Sequence, residues 1–425
     1  MLKKLIHSET VASILDQAVV SGGNFLTTLV LARVLIPADY GIFSLLFLSL
    51  FAINTCHSSL VVYPLTLKGA ADPADLSRLT CAALLHTLLL AAPLSLILLV
   101  ITIFLHHVYL WPVLVVAMIA WQLQETVRRA LLSVLRFRSA IMPDILCYVG
   151  QGLVFAILRP HNLSTIFSIV AGTSFIAALW QFILTDAWSA RHSPALLTFV
   201  KSHGVYSWWM GRFVLAGNAL NMIALQIPAW TLAFAFDATR VANYQSLLNL
   251  VGISNPVIFS INSLLIPTVA REAVHGYRRA RKIALDYGFR YGVLLLPAFT
   301  AMMLVPHAIM KLVYGGASPY TLLSPLLRIF VAAFALQYIA TVVGAYEGGM
   351  SRPKTYMWVQ VMGTGLLLTV GVAMIFRFGV TGAVSAMFVA SAARLVTFLV
   401  LAHQADKQAT VADIYITDTH LGEYQ

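Results

Sequence analysis

Long apolar stretches alternate with short polar breaks along almost the whole chain. A helix crosses the hydrocarbon of a bilayer with about 20 apolar residues. Twelve stretches have that character, near 11–35, 41–66, 80–105, 109–135, 140–158, 164–186, 207–236, 241–268, 286–310, 320–347, 355–376 and 380–402. The breaks carry turn chemistry, as in "IPADYG", "RPHN", "DATR" and "RFGVTG". None is long enough for a separate soluble domain. The pattern predicts an all-α polytopic membrane protein with twelve transmembrane helices.

Composition agrees. The chain is 60% hydrophobic and 10% charged, with a mean hydropathy of +0.85, whereas soluble domains carry about a quarter charged residues. The formal net charge of +11 would suit nucleic acid, so its distribution decides. With the N-terminus inside, the cytoplasmic segments hold 16 of the 27 basic residues and the opposite face holds five. The asymmetry predicts cytoplasmic N- and C-termini. It accounts for the basic balance without a nucleic-acid partner. The three cysteines, Cys56, Cys81 and Cys147, form no CxxC pair and no readable disulfide or metal pattern. The first residues lack a cleavable signal pattern and read as part of the first helix.

The two halves echo each other. "GGNFL" at 22–26 matches "AGNAL" at 216–220, and "YGIFSLLFLSL" at 40–50 matches "YQSLLNLVGIS" at 244–254. The basic hairpins "RFRSA" and "MSRPK" follow the fourth helix of each half. This order predicts two six-helix bundles around a central cavity, a common transporter plan. The expected divisions are an N-terminal lobe at 1–189, a cytoplasmic linker at 190–206, a C-terminal lobe at 207–403 and a polar tail at 404–425. The linker and the basic stretch 271–288 read as amphipathic surface segments on an anionic leaflet.

Three stretches carry a family resemblance: "NFLTTLVLARVLIPADYGIFSL" at 24–45, "QETVRRALLSVLRFRSAIMPDIL" at 124–146 and "NYQSLLNLVGISNPVIFSINSLLIPTVAR" at 243–271. They resemble polysaccharide or O-antigen (Wzx-like) flippases of the multidrug/oligosaccharidyl-lipid/polysaccharide (MOP) exporter superfamily. The resemblance implies alternating access in the bacterial inner membrane. It implies a cargo of glycan linked to undecaprenyl diphosphate, membrane lipids as surroundings, and a monomer. A polysaccharide polymerase and glycosyltransferases would be its partners in exopolysaccharide or O-antigen synthesis. A multidrug or other small-molecule exporter on the same fold is the alternative. Nothing in the sequence asks for a cofactor or a metal. An enzyme would need paired carboxylates or a metal motif at a membrane face, and no HExxH, GxSxG or Gly-rich phosphate loop is present.

Charges inside spans are costly and face protein or water. Glu125, Arg128 and Arg129 stand at i, i+3 and i+4, on one helix face. Two arginines beside one acid suggest that Glu125 holds one guanidinium while the other is free for the diphosphate. Local neutralisation is the competing reading. Arg212, Arg290 and Arg328 complete the candidate diphosphate ligands, because guanidinium forks grip phosphate bidentately. Asp286, one turn before Arg290, offers that arginine a local partner. Asp16 is the candidate for a coupling ion, with Asp144 and Glu347 as further acids. Asn24 and Asn218 occupy matching repeat positions and are candidates for sugar contacts, against the commoner role of polar glue between helices.

Overall fold

The computed structural model describes residues 2–192, 196–273, 275–350 and 352–422. Its elements are α-helices joined by 3₁₀ and π turns, and no strand occurs among the described residues. Eight helices among those residues are long and apolar enough to cross a membrane, and Met222–Ala235 is a shorter apolar stretch.

The helices needed below are α1 (Leu2–Val34), α2 (Pro37–His57), α3 (Tyr63–Ala71), α4 (Leu76–Phe104), α5 (Trp111–Ser133), α6 (Phe137–Asp144), α7 (Gln151–Leu158), α8 (Leu163–Leu184), α9 (Leu196–Ala235), α10 (Ala238–Val251), α11 (Asn255–Ala273), α12 (Tyr277–Leu304), α13 (Pro306–Tyr314) and α14 (Ser324–Gly349). α2 and α3 form one rod through the π turn Ser58–Val62. Pro64 lacks an N–H and crowds the turn before it. The chain widens there, and the Tyr63 N–H bonds the Ser58 carbonyl, five residues back. A second π turn, Ile145–Gly150, links α6 to α7.

The chain divides into two compact units. One comprises Met1–Gln226 with Asp237–Gln245, the other Ile227–Phe236 with Ser246–Gln425. In the first unit α5 packs against α8, α4 and α3, while α1 packs against α6, α7 and the turn between them. The segment 196–226 of α9 belongs to this unit, as does most of the stretch read as a linker. Residues 193–195 of that stretch lie outside the described residues. Small residues permit the closest approaches. A Cβ on Gly23 would fall 2.5 Å from the Tyr148 Cβ, and one on Gly211 would fall 2.6 Å from the Ser59 carbonyl oxygen.

In the second unit α11 packs against α12 and α14, and α12 against α14. Tyr338 donates to the Gly288 carbonyl at 2.6 Å across the α12–α14 contact. The basic stretch 271–288 is not a separate surface helix. Arg271 closes the last turn of α11, and Arg278, Arg279, Arg281 and Lys282 open α12, which runs on unbroken to Leu304. The break falls at Gly276, whose φ of 100° suits glycine. The tail expected at 404–425 is helical to Gly422, and 423–425 lie outside the described residues.

Candidate functional site

The C-terminal half of α5 carries an unusual run of buried polar groups: Gln122, Gln124, Glu125, Thr126 and Arg128. Each would be costly in hydrocarbon without partners. For Gln124, Glu125, Thr126 and Arg128 the partners come from α1, α2, α4, α6 and α5 itself, whereas both polar atoms of the Gln122 side chain are buried without one.

Arg128 is the centre. It is 2% exposed. Its Nε donates to Asp144 Oδ2 at 2.6 Å, its Nη2 to Asp16 Oδ2 at 2.5 Å and its Nη1 to Glu125 Oε2 at 3.4 Å. All three nitrogens therefore meet a carboxylate. Asp144 ends α6, and its second oxygen accepts from Gln124 Nε2 at 3.1 Å and Gln181 Nε2 at 2.9 Å. The other Glu125 oxygen accepts from Arg129 Nε at 2.6 Å. Arg129 keeps 41% of its side chain exposed, so its remaining N–H groups face outward.

This geometry corrects the expectation of a surplus arginine. Glu125 does hold Arg129, as the i,i+4 spacing suggests. Arg128, however, is also claimed by Asp16 and Asp144, so each of its nitrogens already meets a carboxylate. Around these two arginines the acids are in excess: three carboxylates face two guanidiniums, leaving one formal negative charge. Asp16 Oδ2 and Asp144 Oδ2 share the one Arg128 guanidinium. Asp16 Oδ1, Gln124 Oε1 and Gln181 Oε1 are buried without a partner.

A second buried cluster adjoins the first. His57, the last residue of α2, places Nε2 3.0 Å from Thr87 Oγ1 on α4 and 3.1 Å from Thr126 Oγ1 on α5. The two hydroxyls lie 3.0 Å apart, and each also reaches the carbonyl four residues earlier in its own helix. With both hydroxyl protons on those carbonyls, His57 carries its proton on Nε2 and clamps three helices. Sequence reading missed this clamp, because nothing local links a histidine with threonines 30 and 69 residues away.

The remaining expected ligands have their own surroundings. Arg212, on α9, stacks over Trp209 at 3.8 Å and Phe213 at 4.7 Å from the ring centroids. Its Nε is buried without a hydrogen-bond partner. No carboxylate meets it among the described residues. Arg290 is paired with Asp286 at 2.9 Å and stays 71% exposed, as its i,i+4 spacing anticipated. Arg328 is exposed and donates to the Met303 carbonyl at 2.9 Å. Asn218 donates to Ser59 Oγ at 3.1 Å, which is helix-to-helix glue. Asn24 is half-buried on α1. Glu347 is buried and takes Arg352, from the basic hairpin, at 3.2 Å.

No protein-family model matches the sequence, and no curated protein matches it. Solved structures do match over nearly the whole chain. An inward-facing multidrug resistance MATE family transporter of the MOP superfamily is 14% identical, with a TM-score of 0.68 over 95% of each chain. The lipid II flippase MurJ, in an inward closed conformation, is 11% identical, with a TM-score of 0.62 over 96% of this chain and 92% of its own. A MOP superfamily transporter from Pyrococcus furiosus, described as having a binding pocket of reversed polarity, is 13% identical at a TM-score of 0.57, over 96% of each chain. At these identities the likeness establishes architecture: the chain has the fold of the MOP-superfamily transporters.

Proposed function

We propose that the protein is a MOP-type flippase that moves a polyprenyl-diphosphate-linked oligosaccharide from the cytoplasmic to the periplasmic leaflet. Arg212 carries this reading. Its guanidinium lies on an aromatic platform, has no carboxylate, and keeps a buried N–H without an acceptor. A diphosphate would supply charge and acceptors together, through the fork geometry that arginine offers and lysine lacks. Arg129, with its outward N–H groups, is the next ligand, and Arg290 and Arg328 are peripheral contacts. Asn24 and Asn218 remain sugar contacts in this scheme, with Ser59 holding Asn218 in the resting state.

The Asp16–Asp144 pair serves coupling. Two carboxylates share one guanidinium in a cluster of three acids and two arginines, an arrangement suited to taking up one proton. That proton cancels the excess negative charge of the cluster. Its release would leave a buried charge, which favours a rearrangement of α1 against α6. The protein works without a cofactor, in the inner membrane, beside the polymerase and glycosyltransferases that use its cargo.

The acid excess favours one other reading, a multidrug or cation exporter on the same fold. Proteoliposomes decide between them. A flippase moves a fluorescent lipid-linked oligosaccharide across the bilayer in response to a pH gradient and ignores lipophilic cations. An exporter drives cationic dye and leaves the glycolipid in place, an outcome that would overturn the proposal.

A further inference from the structure

The first unit also carries a narrow crevice between α9 on one side and α4 with the π turn after α2 on the other. Its volume is about 270 Å³, and Leu60, Leu89, Leu90, Pro93 and Trp208 are among its apolar walls. Leu89 is 70% and Trp208 57% exposed, so the crevice opens on a surface that a membrane-spanning protein turns to lipid. Two glycines on one face of α9 make the walls close. A Cβ on Gly204 would fall 3.0 Å from His86 Nε2, and Gly211 abuts the Ser59 carbonyl.

Polar groups adjoin these walls. Ser207 lines the crevice, is 5% exposed, and its hydroxyl is buried without a hydrogen-bond partner. One residue earlier, Tyr206 carries the Lys68 ammonium 4.2 Å above its ring. No carboxylate pairs with Lys68 among the described residues. Lys68 lies in the last turn of α3, just before the polar turn 72–75. The distribution of basic residues assigns that turn to the cytoplasmic side. A cation without a carboxylate, a hydroxyl without a partner and an apolar slot are thus linked through neighbouring residues of α9.

A glycerophospholipid presents the matching set of groups: a phosphate, an ester and an apolar chain. We propose that this crevice binds one anionic glycerophospholipid of the cytoplasmic leaflet. The phosphate sits on Lys68, an ester oxygen accepts from Ser207, and one acyl chain fills the slot. The volume falls below the range of about 300–1,000 Å³ usual for compact small-molecule ligands, and it suits a single extended chain. Lipid in this place would bridge α9 to α4, and so fasten the inner part of α9 to the first unit.

The test is native mass spectrometry of the detergent-purified chain titrated with phosphatidylglycerol, phosphatidylcholine or undecaprenyl phosphate. One phosphatidylglycerol should be retained, with phosphatidylcholine about fivefold weaker, the contribution of one basic residue to an anionic headgroup. Lys68→Ala should erase that preference, and Lys68→Arg should restore it, which separates charge from folding. Leu89→Trp, at the exposed rim, should weaken both phospholipids. Equal binding of the two phospholipids to the wild type, or an unchanged preference in Lys68→Ala, overturns the proposal. So does undecaprenyl phosphate displacing phosphatidylglycerol from the wild type but not from Leu89→Trp, because the slot would then belong to a carrier lipid.

Discussion

Arg128 Nη2 reaches Asp16 Oδ2 at 2.5 Å although 112 residues separate the two in sequence. The contact ties the first helix of the chain to the centre of the first unit. Arg128 is covered on every nitrogen, so its charge serves the protein's own acids before any cargo. Breaking a buried ion pair by removing one partner strands the other, at about 3–5 kcal/mol.

Arg128→Ala should therefore act first on folding. It removes the counter-charge that Asp16 and Asp144 share among the described residues, and stability to thermal unfolding in detergent should fall by about 3–5 kcal/mol. Arg128→Lys should recover part of this, since one ammonium cannot serve three carboxylates arranged around a planar fork. Wild-type unfolding of Arg128→Ala with transport lost would mean that Arg128 contacts cargo after all.

The Asp16–Asp144 pair makes a prediction in pH. In the proposed coupling scheme, loss of the proton taken up by the pair leaves one uncompensated negative charge around Arg128. Asp144→Asn removes that charge permanently and keeps an oxygen for Arg128 Nε. Its unfolding temperature should stay close to wild type, while its transport rate should lose most of its dependence on pH. Transport assays across a pH series check this, and a full wild-type profile in Asp144→Asn would remove the pair from coupling.

His57 should behave as a clamp rather than a charge. Replacing Thr126 by Val removes one hydroxyl from a buried cluster of three side chains. The expected cost is about 1–3 kcal/mol, the penalty for leaving a buried polar group unsatisfied. Thr87→Val should cost a similar amount. The double variant should cost less than the two together, because both hydroxyls bond the same ring nitrogen. Unfolding of the three variants in detergent measures the coupling, and strict additivity would dissolve the cluster into independent contacts.

What the sequence shows and what it hides divide along the same line. Helix spacing alone puts Glu125, Arg128 and Arg129 on one face, and the Glu125–Arg129 and Asp286–Arg290 pairs follow from it. The apolar periodicity likewise marks the helices, since each must be apolar to lie in lipid. Partners brought together by packing leave no local trace. Asp16 and Asp144 read as separate acids in separate helices, and Gln181 reads as an ordinary polar residue of α8. Only the packing of α1 and α8 around α6 makes them one site. Hence the charge count reverses, from a surplus arginine to a surplus acid.

That reversal moves the weight of anion recognition to Arg212. Its aromatic platform leaves the guanidinium edge free while fixing its plane, which suits bidentate capture of phosphate oxygens. Because no carboxylate depends on it, Arg212→Ala should leave unfolding nearly unchanged, unlike Arg128→Ala. Export of lipid-linked oligosaccharide should nevertheless fall steeply, by about tenfold or more for the loss of one charged hydrogen-bonding pair worth about 1.5–3 kcal/mol. Arg212→Lys should retain charge but lose the fork and its stacking, giving an intermediate rate. Complementation of a flippase-null strain, with protein abundance measured in membranes, supplies the readout. Full export by Arg212→Ala at normal abundance would shift the diphosphate site to Arg129 and remove the main support for an anionic cargo.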